Sequence, residues 1–371
     1  MKRFLSFALA LTVIAVVCGC GKAKEKNEIS TTSHVSETKE TNEFDKLLSE
    51  YSFCGVVLVT QNGKALYRQA SNQVKDRDDA ISLDSLFCIG SVSKQFAAAA
   101  VLQLQDKGLL STGDKLSKYY PDCPYGDEVT LRQMLSMRSG IAEFYEIEES
   151  DGCANEMPKG SMRGVVTNDN TIEENRKKLT EWLFEQPLDY TPGSMYSYTN
   201  SNYFLLAQIV EKVSGQRYED YLKSHIFEPL GMKSTGFIDE MSDDPRLVKS
   251  PYKAKTVYVG ITMGLGDMIS CADDIDRWLS SFSGNKILSA AAFKEMTTNY
   301  SAEDGGAYGY GVAPHENGAL SHSGFFTSYS AFVYVVPEKN YRFFAVTNDE
   351  TSMSGDITEL SAKLIMNTLK Q

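Results

Sequence analysis

Histidine is scarce in this chain, with four in 371 residues (His34, His225, His315 and His322). None is local to a cysteine of the chain body, so no thiol has the neighbouring base that a cysteine nucleophile needs. There is no H-E-x-x-H pair to mark a zinc site and no G-x-S-x-G elbow to present a strained nucleophile. Positive charge is in deficit: 37 Lys and Arg against 49 Asp and Glu leave a net charge of -12. That balance argues against a nucleic-acid partner, which wants basic stripes. Beyond the N-terminal stretch, no apolar run approaches the roughly 20 residues that span a bilayer.

The N-terminus is built differently. Lys2 and Arg3 precede the apolar stretch Phe4 to Val17, too short and wrongly flanked for a spanning helix, which reads as a secretory signal. It ends in Val17-Cys18-Gly19-Cys20. A small residue directly before cysteine resembles a bacterial lipoprotein cleavage box, with residues 1–20 as the signal and Cys20 as the lipidated residue. Cys18 fits less well because Val17 precedes it, and plain secretion with cleavage nearby is the alternative. Residues 21–42 are Lys-, Glu-, Ser- and Thr-rich and cannot bury a core, so they read as a tether. The expected location is outside the cytoplasm, on a bacterial membrane through the lipid alone. Residues 43–371 form one expected domain. It holds five cysteines, Cys54, Cys88, Cys123, Cys153 and Cys271, an odd number that leaves at least one unpaired. Cys88 reads as a small apolar filler, and Cys123 with Cys153 is an open disulfide possibility.

Within the body, Gly55 to Thr60 and Ala65 to Gln69 flank Asn62-Gly63, a strong hairpin signal. Helical spacing marks Glu43 to Tyr51, Gln95 to Leu104, Val129 to Met137, Glu173 to Gln186, the stretch from Phe204 to Val210, Tyr218 to Phe227, Ala272 to Phe282 and the closing Ile357 to Leu369. Phe144 to Asn170 has no clear period and reads as an acidic surface insertion. A final β region starts at Tyr308 to Val312, and Ala331 to Val336 pairs with Tyr341 to Thr347 across Glu338-Lys339-Asn340. Strands at both ends with helices between predict an α+β fold. In it an antiparallel sheet flanked by helices faces a mostly helical lobe, and the cleft between them holds the site.

The chemistry centres on Phe87-Cys88-Ile89-Gly90-Ser91-Val92-Ser93-Lys94. Ser91 and Lys94 are three apart at the start of a helix, so they share a face. Serine at a helix start is ordinarily a cap, but a lysine amine within reach can take the hydroxyl proton and make it a nucleophile. The same spacing recurs from Ser36, Ser250 and Ser283, none of which opens a convincing helix. Further on stand Tyr198-Thr199-Asn200, the only Y-x-N in the chain, and His322-Ser323-Gly324 beside an apolar strand region. Arg138-Ser139-Gly140 has a similar form but closes a helix and precedes the tyrosine. Each triplet alone is weak, and their order is what carries weight.

On S-x-x-K, Y-x-N and H-x-G in that order, the body from Glu43 to Leu369 resembles the class C β-lactamase and DD-peptidase group of penicillin-recognising serine hydrolases. Met134 to Gly140, Pro192 to Asn200, Gly231-Met232 and Asp273-Asp274 match as well. The resemblance implies a β-lactamase/transpeptidase-like fold and acyl transfer with no metal and no cofactor. It makes Ser91 the acylated nucleophile and Lys94 the group that helps deprotonate it. Tyr198 becomes the general base or its relay, with Asn200 orienting Lys94 and the substrate amide. It also implies that His322, Ser323 and Gly324 border the cleft and that the backbone N–H groups of Ser91 and Phe325 form the oxyanion hole. Class C β-lactamases carry lysine where this chain has His322, whereas histidine there is similar to DD-peptidases, D-aminopeptidases and related esterases. The expected substrate is therefore a small molecule or peptide, such as a D-amino-acid or cell-wall peptide or a small ester. A β-lactamase and a non-catalytic receptor of wall peptides are the rival readings.

Overall fold

The computed structural model describes residues 41–369 apart from 75–79, 151–152, 163, 252–259, 285, 351–352 and 354. The signal stretch, Cys20 and residues 21–40 of the expected tether lie outside the described residues, while Thr41 and Asn42, assigned to the tether by sequence, open the helix Thr41–Glu50. Six antiparallel strands form the main sheet, in the order Lys64–Asn72, Cys54–Gln61, Tyr341–Thr347, Tyr329–Val336, Leu320–Phe326 and Ala313–Pro314. The first strands of the body therefore pair with the last, and Gly55 lies opposite Thr347. Asn62 and Gly63 both take positive φ, 50° and 77°, the twist that a two-residue hairpin needs.

The strand Cys54–Gln61 reads as an unbroken apolar run because both faces of the sheet are covered. Val56 and Leu58 enter one core, while Val57 and Val59 enter the other. The second core is closed by Phe44 and Leu48 of the helix Thr41–Glu50 and by Leu360 and Leu364 of the helix Ile357–Leu369. The first core joins the sheet to the helical lobe. Its centre is the helix Ser93–Asp106, buried from Ser93 through Leu104. The central run of this helix, Phe96 to Leu102, is apolar all round, as an interior helix requires, and Ala97 to Ala100 let neighbours approach closely. Phe96 stacks on Trp278 with ring centroids 4.1 Å apart, and Trp278 donates its indole N–H to Gln95 Oε1 at 2.7 Å.

Four readings from sequence change. The stretch Phe144 to Asn170, read as a surface insertion without a clear period, contains the antiparallel hairpin of Tyr145–Ser150 and Cys153–Pro158. Cys123 is a free, buried thiol, so no bridge to Cys153 forms. The helix expected over Val129 to Met137 is shorter, Leu131–Leu135. Thr130 and Gln133 form a capping box at its start, and Met137 has φ of 60° just past its end. The last β region begins at Ala313 rather than Tyr308, and His322 lies within the strand Leu320–Phe326.

Main chain meets main chain where this strand touches the turn Gly90–Val92. Gly90 has φ of +51°, and a Cβ there would lie 2.5 Å from Phe325 N; a Cβ on Gly324 would lie 1.9 Å from Ile89 O. Neither site has room for a methyl group. Gly90→Ala combines a left-handed backbone, costing about 1–2 kcal/mol, with overpacking of similar or larger size. Urea unfolding of Gly90→Ala should show at least ~2 kcal/mol of lost stability. An unchanged midpoint would contradict the close approach.

Candidate active site

Gly90–Val92 forms one turn of 3-10 helix, and the α-helix continues from Ser93. Ser93 Oγ donates to Gly90 O at 2.7 Å, closing the turn. Ser91 therefore stands at the mouth of the helix, partly exposed, without serving as its cap. One turn on, Lys94 is fully buried. Its Nζ lies 2.9 Å from Ser91 Oγ, 2.8 Å from Asn200 Oδ1 and 2.8 Å from Leu265 O. Two of these partners, an amide oxygen and a backbone carbonyl, can only accept hydrogen bonds. A neutral amine has two N–H groups to give them and then aims its free electron pair at the Ser91 hydroxyl.

The loop that brings Tyr198 and Asn200 to this amine is held by the segment after the helix Leu131–Leu135. Gly193 and Ser197 donate backbone N–H groups to Arg138 O and Met137 O at 2.7 and 2.9 Å. The Arg138 guanidinium binds Gly193 O, Tyr300 O and the Asp304 carboxylate. Ser139 Oγ donates to Asn202 Oδ1 at 2.6 Å. The Arg138-Ser139-Gly140 triplet is thus a brace behind the site. Lys94 Nζ sits 5.0 Å from the centre of the Tyr198 ring, within cation–π range. Tyr198 remains 37% exposed, so it joins the buried amine to the open face. Asn200 is the first residue of the helix Asn200–Ser214.

His322 is buried, and its ring centroid lies 6.5 Å from that of Tyr198. Its Nδ1 lies 2.5 Å from Ser323 O, and its Nε2 lies 3.1 Å from Tyr308 Oη. A carbonyl can only accept, so Nδ1 carries the hydrogen and Nε2 accepts from the tyrosine. Burial, joined by the charge of Lys94, pushes the imidazole down to about 4, against a smaller opposing effect of the Ser323 carbonyl. The ring is therefore neutral at pH 7 and is packed among aromatic rings rather than projecting as a cation. Ser323 and Phe325 alternate with it along the strand and are partly exposed. Gly324 packs on Ile89, so the backbone carrying the Phe325 N–H runs against the Gly90-Ser91 backbone.

Three participants carry no motif. Leu265 contributes only a carbonyl. Tyr308 is buried within its aromatic cluster. Glu143 receives the Asn200 backbone N–H and side-chain amide on Oε2, at 2.6 and 3.1 Å. Its Oε1 receives the N–H groups of Phe144 and Tyr145 at 2.8 and 3.0 Å. Burial raises the Glu143 carboxyl, and those N–H groups and the Lys94 charge oppose the rise. The only sequence signal was a lone carboxylate between apolar neighbours in Gly140-Ile141-Ala142-Glu143-Phe144. Among the described residues, no group of three or more His, Cys, Asp or Glu is placed to hold a metal ion.

The chain is similar to several known proteins. A Bacillus subtilis (strain 168) protein named as a penicillin-binding protein, PbpX, is 29% identical over 313 residues, covering 82% of this chain and 72% of its own length. The octameric penicillin-binding protein homologue from Pyrococcus abyssi superposes with a TM-score of 0.69 at 24% identity, over 90% of this chain and 77% of that one. The D-amino acid amidase from Ochrobactrum anthropi SV3, complexed with L-phenylalanine amide, gives 0.70 at 20% identity, over 90% of this chain and 99% of that one. At such identities the two structures show a shared fold. The β-lactamase family model matches residues 41–365, most of the chain and every motif above, so the chain belongs to the β-lactamase family and is one of its serine hydrolases.

Proposed function

We propose that this protein hydrolyses an amide or ester bond through a Ser91 acyl-enzyme, on a D-amino-acid peptide or amide or a small ester. The observation that carries the reading is the 2.9 Å approach of Lys94 Nζ to Ser91 Oγ, beside Lys94 bonds to two acceptor-only oxygens. In the first step Ser91 Oγ bonds to the substrate carbonyl carbon and its proton passes to Lys94. The N–H groups of Ser91 and Phe325 stabilise the oxyanion. The bond to the leaving group then breaks, and Tyr198 relays the proton from Lys94 to the departing nitrogen or oxygen. Water repeats the attack on the acyl-enzyme, the acid leaves, and Ser91 regains its proton.

A neutral, buried His322 supports the choice of substrate. Class C β-lactamases have a lysine at this place, and an uncharged ring cannot replace its charge. The amidase named above supports the D-amino-acid side of the reading. A lipid on Cys20 would hold the enzyme outside the cytoplasm, near wall peptides, a reading supported by the Val17-to-Cys20 sequence after the apolar stretch. Labelled palmitate should enter the full chain and fail to enter Cys20→Ser.

A fluorophosphonate probe should label the protein at Ser91. Turnover of p-nitrophenyl acetate, D-phenylalanine amide and a D-Ala-D-Ala peptide should vanish in Ser91→Ala. Lys94→Ala should lose about 10²–10⁴-fold in kcat/KM, the usual worth of a positioned base. A folded protein that binds these compounds and turns over none would be a receptor, and the hydrolase reading would fall.

His322 makes a separate prediction about stability. Its folded value, about 4, lies below its ordinary 6.5, so the unfolded chain takes up the proton first as pH falls. Stability is lost as pH drops from 6.5 towards 4. Relative to wild type, His322→Gln should therefore gain about 2 kcal/mol between pH 7 and pH 5. Parallel unfolding curves for the two proteins at both pH values would contradict the neutral, buried ring.

A further inference from the structure

On the reading of Lys94 as the proton acceptor, we infer that Glu143 is a positioning residue: it fixes the Asn200 amide, and through it turns the electron pair of the Lys94 amine toward Ser91. An asparagine amide fits its pocket in two orientations that differ only in which end carries oxygen. Glu143 breaks that symmetry. Its carboxylate can only accept, so the Asn200 NH2 must face it, at 3.1 Å, and the Asn200 oxygen must face Lys94, at 2.8 Å. With that oxygen and Leu265 O in place, the direction left on the amine is Ser91. One Asn200 amide hydrogen is thereby committed to Glu143.

The carboxylate is itself held on both oxygens. Phe144 and Tyr145 amides bind Oε1, and the Asn200 backbone N–H binds Oε2. That last bond places the charge at the first turn of the helix Asn200–Ser214, where Thr199 makes no side-chain cap. A purely structural capping role would end there. Electrostatics extends it, because Glu143 and Lys94 attract across the Asn200 amide. Lys94 also faces His322 from the strand Leu320–Phe326, whose charged form it opposes. Tyr198 faces it from the loop and Tyr203 from the helix, their ring centroids at 5.0 and 5.8 Å. Of these groups, Glu143 supplies the negative charge, and a nearby anion favours the protonated amine.

Glu143→Gln keeps the shape and removes the charge, and its new NH2 competes with Asn200 for orientation. In the full chain, kcat/KM on p-nitrophenyl acetate should fall at least ~10-fold, since misplacing a catalytic group costs up to about 100-fold. The acid limb of the pH profile should move down by about one unit. The same downward move should appear in the Lys94 titration followed by 13Cε NMR, with the resonance assigned by its loss in Lys94→Ala. Glu143→Asp keeps the charge, so the titration should stay near wild type while the rate falls. A Glu143→Gln titration that is unmoved, or that moves up, overturns the inference and leaves Glu143 a structural cap. If Glu143→Gln does not fold, Glu143→Asp decides: a wild-type rate overturns the inference, and a reduced rate with an unmoved titration supports it. Because the NMR titration needs no turnover, loss of the hydrolase reading and loss of this one are told apart.

Discussion

A lysine amine with no exposure to water is the constraint around which this molecule is arranged. Burying an unpaired ammonium is prohibitively costly, and even a neutral amine must have its N–H groups met. Lys94 is met from three directions by segments far apart in the chain: the turn before its own helix, the start of the helix Asn200–Ser214, and the carbonyl of Leu265. Each arrives on a rigid element. The helix Ser93–Asp106 is packed on all sides, the Tyr198 loop is pinned by Arg138 and Ser139, and Leu265 lies just before the strand Met268–Ser270, which pairs with Phe87–Cys88. Misplacing any of the three would leave a buried polar group without its partner.

The second requirement is closeness of backbone to backbone. The turn that carries Ser91 lies directly against the main chain of the strand Leu320–Phe326. The strand Leu320–Phe326 can approach the Ser91 turn only because Gly90 and Gly324 have no side chains. Gly311 does the same on another side of the helix, where a Cβ would lie 2.8 Å from the Lys94 carbonyl. The H-x-G triplet therefore carries two unrelated demands: a ring that packs beside Tyr198, and a bare Cα that lets the strand come close.

These demands differ in how far they show in sequence. Ser91 and Lys94 were legible because one helical turn joins them, and the sheet was legible because both of its faces are apolar. Tyr198 and Asn200 show as a triplet, but their partners lie elsewhere: Glu143 is 57 residues before Asn200, and Tyr308 is 14 before His322. Leu265 acts through a carbonyl that every residue possesses. The hairpin Tyr145–Ser150 with Cys153–Pro158 escaped because its strands are polar and acidic and lack the apolar alternation that betrays a half-buried strand. Histidine 322 was legible as a candidate, but its neutrality was not, since it depends on Ser323 O, on Tyr308 and on burial.

Neutrality at His322 also follows from charge economy around Lys94. Two cations in one water-poor site repel strongly, and the structure supplies one buried carboxylate, Glu143, to offset positive charge at this point. That carboxylate is joined to Lys94 through Asn200 and not to His322, whose partners are a carbonyl and a phenol. The charge of Glu143 is therefore directed at Lys94, and burial keeps the imidazole neutral. His322, with both ring nitrogens hydrogen-bonded, is thereby a packed, uncharged wall of the pocket beside Tyr198.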